Sequence, residues 1–369
     1  MGGMTMRRIA RACLALALTL GLTGCGSAGK TGGSADDLFS RASGIASDTV
    51  LLTVDGRAVS AGRYFYWLAY DCDYLRNCCA DSGRTPDWNG DYDGRTLGEY
   101  AREQALATAA LYAEIELWAD RYGCRVTDDD WAAVDREWDQ TATAAGGEAA
   151  YLTQLADYGV DKAFARELSG DYYLYSHLYE LSRTAGSALY PTQAELDRYA
   201  SDQGLITVEE QRFSSEAAAG KALAALTASA QPLTDFASLG GNDRKITFVS
   251  GDGTLSDVLE SAALALKQDA WSQVLSDGDG FCLLLRRAPD AAAGYFDAQL
   301  QSAADQAKIS CSSAYDSIDV ASFYQKLTAA RTKGEKTVSG QAEIASGGSA
   351  AASSDSAPGT PAASGSARS

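Results

Sequence analysis

The chain has 369 residues and carries 49 acidic against 31 basic side chains, a net charge of −18. That excess argues against a nucleic-acid-binding surface, where a basic stripe is expected. A lone histidine, His177, and the lack of any Cys-x-x-Cys pair argue against zinc, and no residue set points to a cofactor.

At the N-terminus, Arg7, Arg8 and Arg11 precede an apolar run from Ala12 to Leu22, of secretory length and too short to span a bilayer. Leu22-Thr23-Gly24-Cys25 follows and resembles the bacterial lipoprotein signal. In that reading residues 1–24 are removed, Cys25 carries the lipid, and the mature chain is anchored to the membrane on its extracytoplasmic side. An ordinary secretory signal with a chance cysteine is the alternative. Residues 25–47 are rich in Gly, Ser and Ala and read as a flexible tether with a mean reach of about 25 Å. Beyond Cys25 no apolar stretch is long enough to cross a membrane. Cys72, Cys78, Cys79, Cys124, Cys282 and Cys311 remain; an oxidising exterior permits disulfides among them, the spacing does not fix a pairing, and buried free thiols fit equally.

The structured part opens on a strand pair over Val50 to Val59, with Asp55-Gly56 as its turn. A helix follows, its face set by Tyr64, Leu68, Cys72 and Leu75 and widened by Phe65 and Trp67. Asp81 to Arg95 reads as a polar loop. Thr96 and Glu99 form a capping box for a long helix to about Tyr122, with Leu97, Tyr100, Leu111, Ile115 and Trp118 as its apolar contacts. Further helices are predicted over Thr127 to Thr141, Ala149 to Tyr158 and Lys162 to Ser182. A short one starts at Pro191 and the Thr192/Glu195 capping box. After Gly204 the pattern changes to strands around Ile206, Ile246 to Val249 and Phe281 to Leu285. Helices fall between them at Glu216 to Leu226, Leu233 to Leu239 and Ser256 to Leu266. Ala291 to Ala330 returns to helix, and residues 333–369 are too poor in large apolar side chains to fold and are expected to be disordered.

In this order, several segments resemble the SurA/PrsA class of extracytoplasmic foldases. Val50 to Ser60 is similar to the family's opening Val-x-x-Val-Asn/Asp-Gly turn, and Asp93-Gly94-Arg95-Thr96-Leu97 precedes a long helix as in its lipoprotein members. Leu233-Thr234-Asp235-Phe236-Ala237-Ser238-Leu239, Glu260 to Ser272 and Gly280 to Leu285 resemble successive segments of the parvulin-type prolyl isomerase module. Ala314 to Asp319 resembles the helical return after it. The resemblance implies an α+β, mostly helical fold: a discontinuous helical chaperone domain over 48–200 and 291–332, a parvulin-like α/β module inserted at 201–290, and disordered termini. It implies unfolded or nascent secreted polypeptides as partners.

The same comparison shows where the chain departs. Active parvulins present two histidines to the substrate proline. Here those positions fall near Glu210 in the early strand and on Cys282 in the closing strand, and the glycine loop shrinks to Gly240-Gly241. Phe213, Phe236 and Phe281 are the candidate apolar cradle for a peptide, and no catalytic residue is assigned. Asn89, Asp91, Asp93 and Gly94 match the first half of a calcium loop, but its twelfth position is Tyr100 and Glu99 falls one short, so the segment reads as a solvated acidic turn. Asp277-Gly278-Asp279-Gly280 reads as a hairpin turn. His177 lacks a nucleophile motif and reads as a core or interface histidine. The tyrosines and tryptophans of the helices read mostly as core, with a remainder that lines a groove for unfolded chains. The expected function is a lipid-anchored folding factor with little isomerase activity. An active isomerase with a divergent site, and a surface lipoprotein that recruits one partner, are the alternatives.

Overall fold

A computed structural model describes residues 37–278 and 280–331, with the backbone alone at Ala293. Cys25, the signal segment, Asp279 and the C-terminal tail lie outside the described residues. The first helix, α1 (Leu38–Ser43), falls inside the stretch read as tether, which corrects that boundary. Asp37 caps it by accepting the Ser40 N–H at 2.7 Å, and Gly44 ends it in the left-handed region. Leu38, Phe39 and Ala42 are buried, and the Phe39 ring lies so close over Gly159 that a Cβ there would meet it at 2.4 Å. Three apolar contacts thus outweigh a Ser/Ala-rich composition.

Strands β1 (Val50–Val54) and β2 (Arg57–Ser60) form the expected antiparallel pair. Asp55 and Gly56 turn between them at φ +46° and +88°, which only Gly and short polar residues take readily. Ser60 caps α2 (Ala61–Asp81), on which Tyr64, Phe65, Trp67, Leu68, Cys72 and Leu75 are all buried, as their spacing predicts. The polar loop is not wholly irregular. It holds a small hairpin of β3 (Asp91–Tyr92) and β4 (Arg95–Thr96), turning through Asp93 and Gly94 at φ +57° and +82°. The residues matched to a calcium loop therefore serve a tight turn; two-residue strands leave no alternation for a sequence to reveal.

The Thr96/Glu99 capping box is formed in full at the start of α3 (Leu97–Tyr122). Helices α4 (Asp128–Ala144), α5 (Glu148–Ala156), α6 (Lys162–Arg183) and α7 (Gln193–Gln203) follow. A buried arginine ties three of these elements together. Arg63 of α2 is held by Glu116 of α3 and by Glu167 and Asp171 of α6. Burial pushes the Asp171 carboxyl up to about 7, and the neighbouring Arg63 offsets this only in part.

Next comes a four-stranded antiparallel sheet in the order β6-β5-β8-β7, from β5 (Leu205–Phe213), β6 (Asn242–Val249), β7 (Leu275–Asp277) and β8 (Gly280–Arg287). Strands alternate their side chains between faces, so the sheet has two cores. On one face Ile206, Val208, Ile246, Phe248, Cys282 and Leu284 pack under α10 (Asp257–Ala265) through Leu259 and Ala263. On the other, Phe213, Leu283 and Leu285 pack under α8 (Glu216–Ala228) and against Phe236, which follows the short α9 (Pro232–Asp235).

The return segment, expected as helix over 291–330, is interrupted by a strand. After α11 (Ala292–Gln306) the chain forms β9 (Ile309–Cys311), which pairs antiparallel with β1 as Val54↔Ile309, Thr53↔Ser310 and Leu52↔Cys311. Helix α12 (Ser313–Asp316) and a last helix, α13, over 320–331 complete it. Without β9, β1 would leave one edge unpaired; with it, β1 becomes the centre of a three-stranded sheet. Phe296, Leu300, Tyr315, Phe323 and Leu327 from this return share one core with Leu51, Tyr64, Phe65 and Leu68. Phe65 stacks on Phe323 at 4.9 Å, and Tyr64 meets Tyr315 edge-on at 5.3 Å. A smaller cluster sits where the chain enters and leaves the four-stranded sheet: Tyr199 and Ala200 of α7 pack with Ala291, and the Tyr199 hydroxyl donates to the Gly294 carbonyl at 3.0 Å. The fold is α+β and mostly helical.

Candidate functional site

The two positions singled out as replaced histidines come together on one face of the four-stranded sheet. Glu210 and Arg212 of β5 share the parity of Val208, and Cys282 of β8 is the register partner of Arg212. All three therefore point to the α10 side, with Arg244 of β6 opposite Glu210. Glu210 and Cys282 are both wholly buried. The Cys282 thiol donates to Glu210 Oε1 at 3.3 Å, and Arg212 Nε donates to the same oxygen at 3.0 Å. Arg212 also donates to the Asp277 carboxylate at 2.6 Å and to its carbonyl at 3.3 Å. Asp277, expected only as a turn residue, thus closes the network. The hydrogen bond from Arg212, with a second from Ser256, holds its carboxyl below the usual range.

Burial, reinforced by the hydrogen bond to Glu210, pushes the Cys282 thiol up to about 12, so it stays a neutral donor. Glu210 Oε1 is committed to two donors. Its Oε2 has no hydrogen-bond partner, and the nearest cation, Arg244 Nη1, stands 3.7 Å away on a half-exposed side chain. The arrangement ties β5, β7 and β8 together on the α10 side.

Phe213, Phe236 and Phe281 lie on the opposite face. Phe213 and Phe281 are register partners, and the trio belongs to the core under α8. Phe236 is 0% exposed and Phe213 7%, with Phe281 partly buried, so as placed they fill a core and do not line an open cradle. The period-2 pattern of β5 could have shown this, because it puts Glu210 and Phe213 on opposite faces. Sequence reasoning also passed over Gln211. Its amide donates to Asp243 at 2.9 Å and its carbonyl accepts the Gly241 N–H at 3.0 Å, pinning the shortened glycine connection to β5. A Cβ on Gly241 would come within 2.8 Å of the Gln211 side chain, so a larger residue there would push the connection away.

His177 has a carboxylate partner that its sequence neighbours do not reveal. Its Nε2 lies 2.8 Å from Asp130 Oδ2 at the first turn of α4. Burial raises the Asp130 carboxyl, but hydrogen bonds from His177 and Thr127 outweigh it and hold the group low. The pair fastens α6 to α4, and the same Asp130 oxygen accepts the Thr127 hydroxyl at 2.7 Å as part of the helix cap. The six cysteines among the described residues are all free thiols.

No protein-family model matches the chain, and a comparison with curated proteins finds no match. Solved structures give similarities to the foldase PrsA of Streptococcus pneumoniae (18% identity, 65% of this chain and 92% of that one, TM-score 0.21) and to PrsA of Bacillus subtilis (16%, 64% and 90%, TM-score 0.23). A SurA-like chaperone of Campylobacter jejuni is similar at 11% identity over 72% of this chain and 99% of that one, with a TM-score of 0.21. These are structures of the class that the sequence motifs resemble, and at such scores they assign no activity or partner to this chain.

Proposed function

We propose that the chain is a lipid-anchored, extracytoplasmic folding factor that holds unfolded secreted polypeptides, and that its four-stranded module carries little or no prolyl isomerase activity. The observation that carries the reading is the return of the chain through β9. Residues 309–311 pair with residues 52–54 after the intervening sheet. That supports a discontinuous helical domain, residues 48–200 and 291–332, with a module inserted at 201–290, the organisation that the sequence motifs imply. The low activity is supported by Glu210 and Cys282, which bind one another where the resemblance calls for two histidines facing substrate. Anchoring is supported by the lipobox at Cys25. Because α1 already packs on Gly159, at most residues 25–36 serve as tether, with a mean reach of about 20 Å.

The test is suppression of aggregation of a reduced, unfolded client by the mature chain. Suppression at stoichiometric protein is expected. No suppression, with one discrete partner in a pull-down, would favour the partner-recruiting alternative. In the same cells, Cys25→Ala should move the protein from the membrane fraction to the soluble one.

A further inference from the structure

One face of α2 carries Trp67, Tyr70, Asp71 and Tyr74, three and four residues apart. Near its outer end stand Tyr100, in the first turn of α3 and acted on by Tyr74 and Asp71, and Tyr92, on the β3–β4 hairpin, whose ring packs on Tyr100. Tyr74 and Tyr92 are 44% and 45% exposed, and Tyr70 and Tyr100 are half-buried. The Tyr92 and Tyr100 rings lie 5.0 Å apart, and the Arg95 guanidinium covers Tyr100 at 5.1 Å. Behind them Trp67 meets Tyr70 edge-on at 6.3 Å and stacks on Tyr112 at 4.8 Å. This is an aromatic surface braced from within, with two tyrosine rings in solvent.

Asp71 lies at the floor of the patch. It is buried, and its Oδ2 has no hydrogen-bond partner. On α2 it follows Trp67 by four residues and precedes Tyr74 by three, on the helix face that carries the patch. A buried carboxyl oxygen without a partner is costly, and a leucine at this helical position would avoid that cost. The rim is acidic. Asp91 and Asp93 are exposed and make no ion pair among the described residues, whereas Arg95 is tied to Glu103.

We propose that this tyrosine patch on α2, α3 and the β3–β4 hairpin docks an extended polypeptide segment whose apolar or aromatic centre is flanked by Lys or Arg. The proposal rests on the client-binding reading above and gives it a location. Tyrosine supplies contact area with a polar handle, and its ring face attracts a cation, while Asp91 and Asp93 complement basic flanks. Asp71 meets the backbone of the bound segment. Burial pushes its carboxyl up to about 8, so at neutral pH it is a neutral acid with one donor and one acceptor, the complement of a peptide amide. The titratable groups facing it, Tyr64, Cys72 and Tyr100, are themselves pushed up by burial and stay uncharged there.

The test is fluorescence anisotropy of the full mature chain with two short labelled peptides, one centre of Leu, Phe and Ser flanked by Lys or by Glu. The Lys-flanked peptide should bind, and the Glu-flanked one should bind about tenfold more weakly. Tyr74→Ala together with Tyr92→Ala should weaken binding about tenfold or more; both side chains are exposed, so the fold stays intact. Asp71→Asn should keep binding, and Asp71→Leu should lose it without a lower melting temperature. Equal binding of both peptides, or undiminished binding by the double tyrosine variant or by Asp71→Leu, overturns the proposal. The same proteins in the aggregation assay separate it from the broader reading. Suppression unaffected by the tyrosine changes keeps the client reading and overturns the site. Peptide binding at the tyrosines with no suppression keeps the site and overturns the client reading.

Discussion

The helical body and the four-stranded sheet bury polar groups in opposite ways. In the sheet, Glu210, Arg212, Asp277 and Cys282 form a closed network on one face, and Gln211, Asp243 and Gly241 form another on the other. Glu210 Oε2 is the exception there. In the helical body Asp71 Oδ2, Glu114 Oε1 and Trp67 Nε1 are buried without partners, and Asp171 shares a single arginine with two other carboxylates. A closed network specifies one arrangement. In the helical body burial instead pushes Asp71 and Asp171 up to about 8 and about 7. The pH response therefore belongs to the helical body, where the proposed docking surface also lies, and the sheet's polar groups tie its strands together.

The strongest way to break this comparison is to remove one core at a time. Phe65→Ala, at a wholly buried ring stacked on Phe323, should cost the helical body about 3–5 kcal/mol. Phe236→Ala should cost the sheet module a similar amount, about 3–5 kcal/mol. Hydrogen exchange should show protection lost chiefly in the body that carries the substitution; equal loss in both would mean a single cooperative unit. Next is pH. Asp71 and Asp171 hold their protons more tightly folded, up to about 8 and about 7, than in the unfolded chain. Their contribution is therefore full below the ordinary carboxylate range and is lost as the pH rises through about 7 to 8. Urea midpoints should rise as the pH falls across that window, and Asp71→Asn with Asp171→Asn should flatten the slope; an unchanged slope would refute the assignment.

Gly159→Ala should cost about 1–3 kcal/mol, since a methyl group there meets the Phe39 ring and the backbone φ is +70°. An unchanged melting temperature would mean that α1 is not docked. The smallest effect belongs to the sheet network. Glu210→Gln keeps its shape and should cost about 1–3 kcal/mol with no change in client binding.

How much of this was legible in the sequence depended on the range of the interactions. The Asp55-Gly56 turn, the capping boxes at Thr96, Thr127 and Thr192 and the buried face of α2 are set by residues a few positions apart, and local pattern carries that information. The helix start at Thr127 was legible, although its capping partner, Asp130, was not named. Strand β9 was missed because Ile-Ser-Cys has no periodicity of its own; it becomes a strand only because β1, some 250 residues earlier, presents an unpaired edge. Helix α1 was missed for the same reason, since it is held by distant partners, the core cluster and Gly159 among them. At the site, the meeting of Glu210 and Cys282 followed from the strand order the motifs implied. The partners that close the network, Arg212 and Asp277, and the His177–Asp130 pair depend on tertiary register and left no local signal.

The central claim, holding without catalysis, is tested most directly by proline-limited refolding of a denatured client with the full mature chain at stoichiometric concentration. Uncatalysed isomerisation takes tens of seconds. The account predicts that the refolded yield rises because aggregation is suppressed, while the rate constant of the slow phase stays at its uncatalysed value. A slow phase accelerated tenfold or more, abolished by substitution at Glu210 or Cys282, would contradict it.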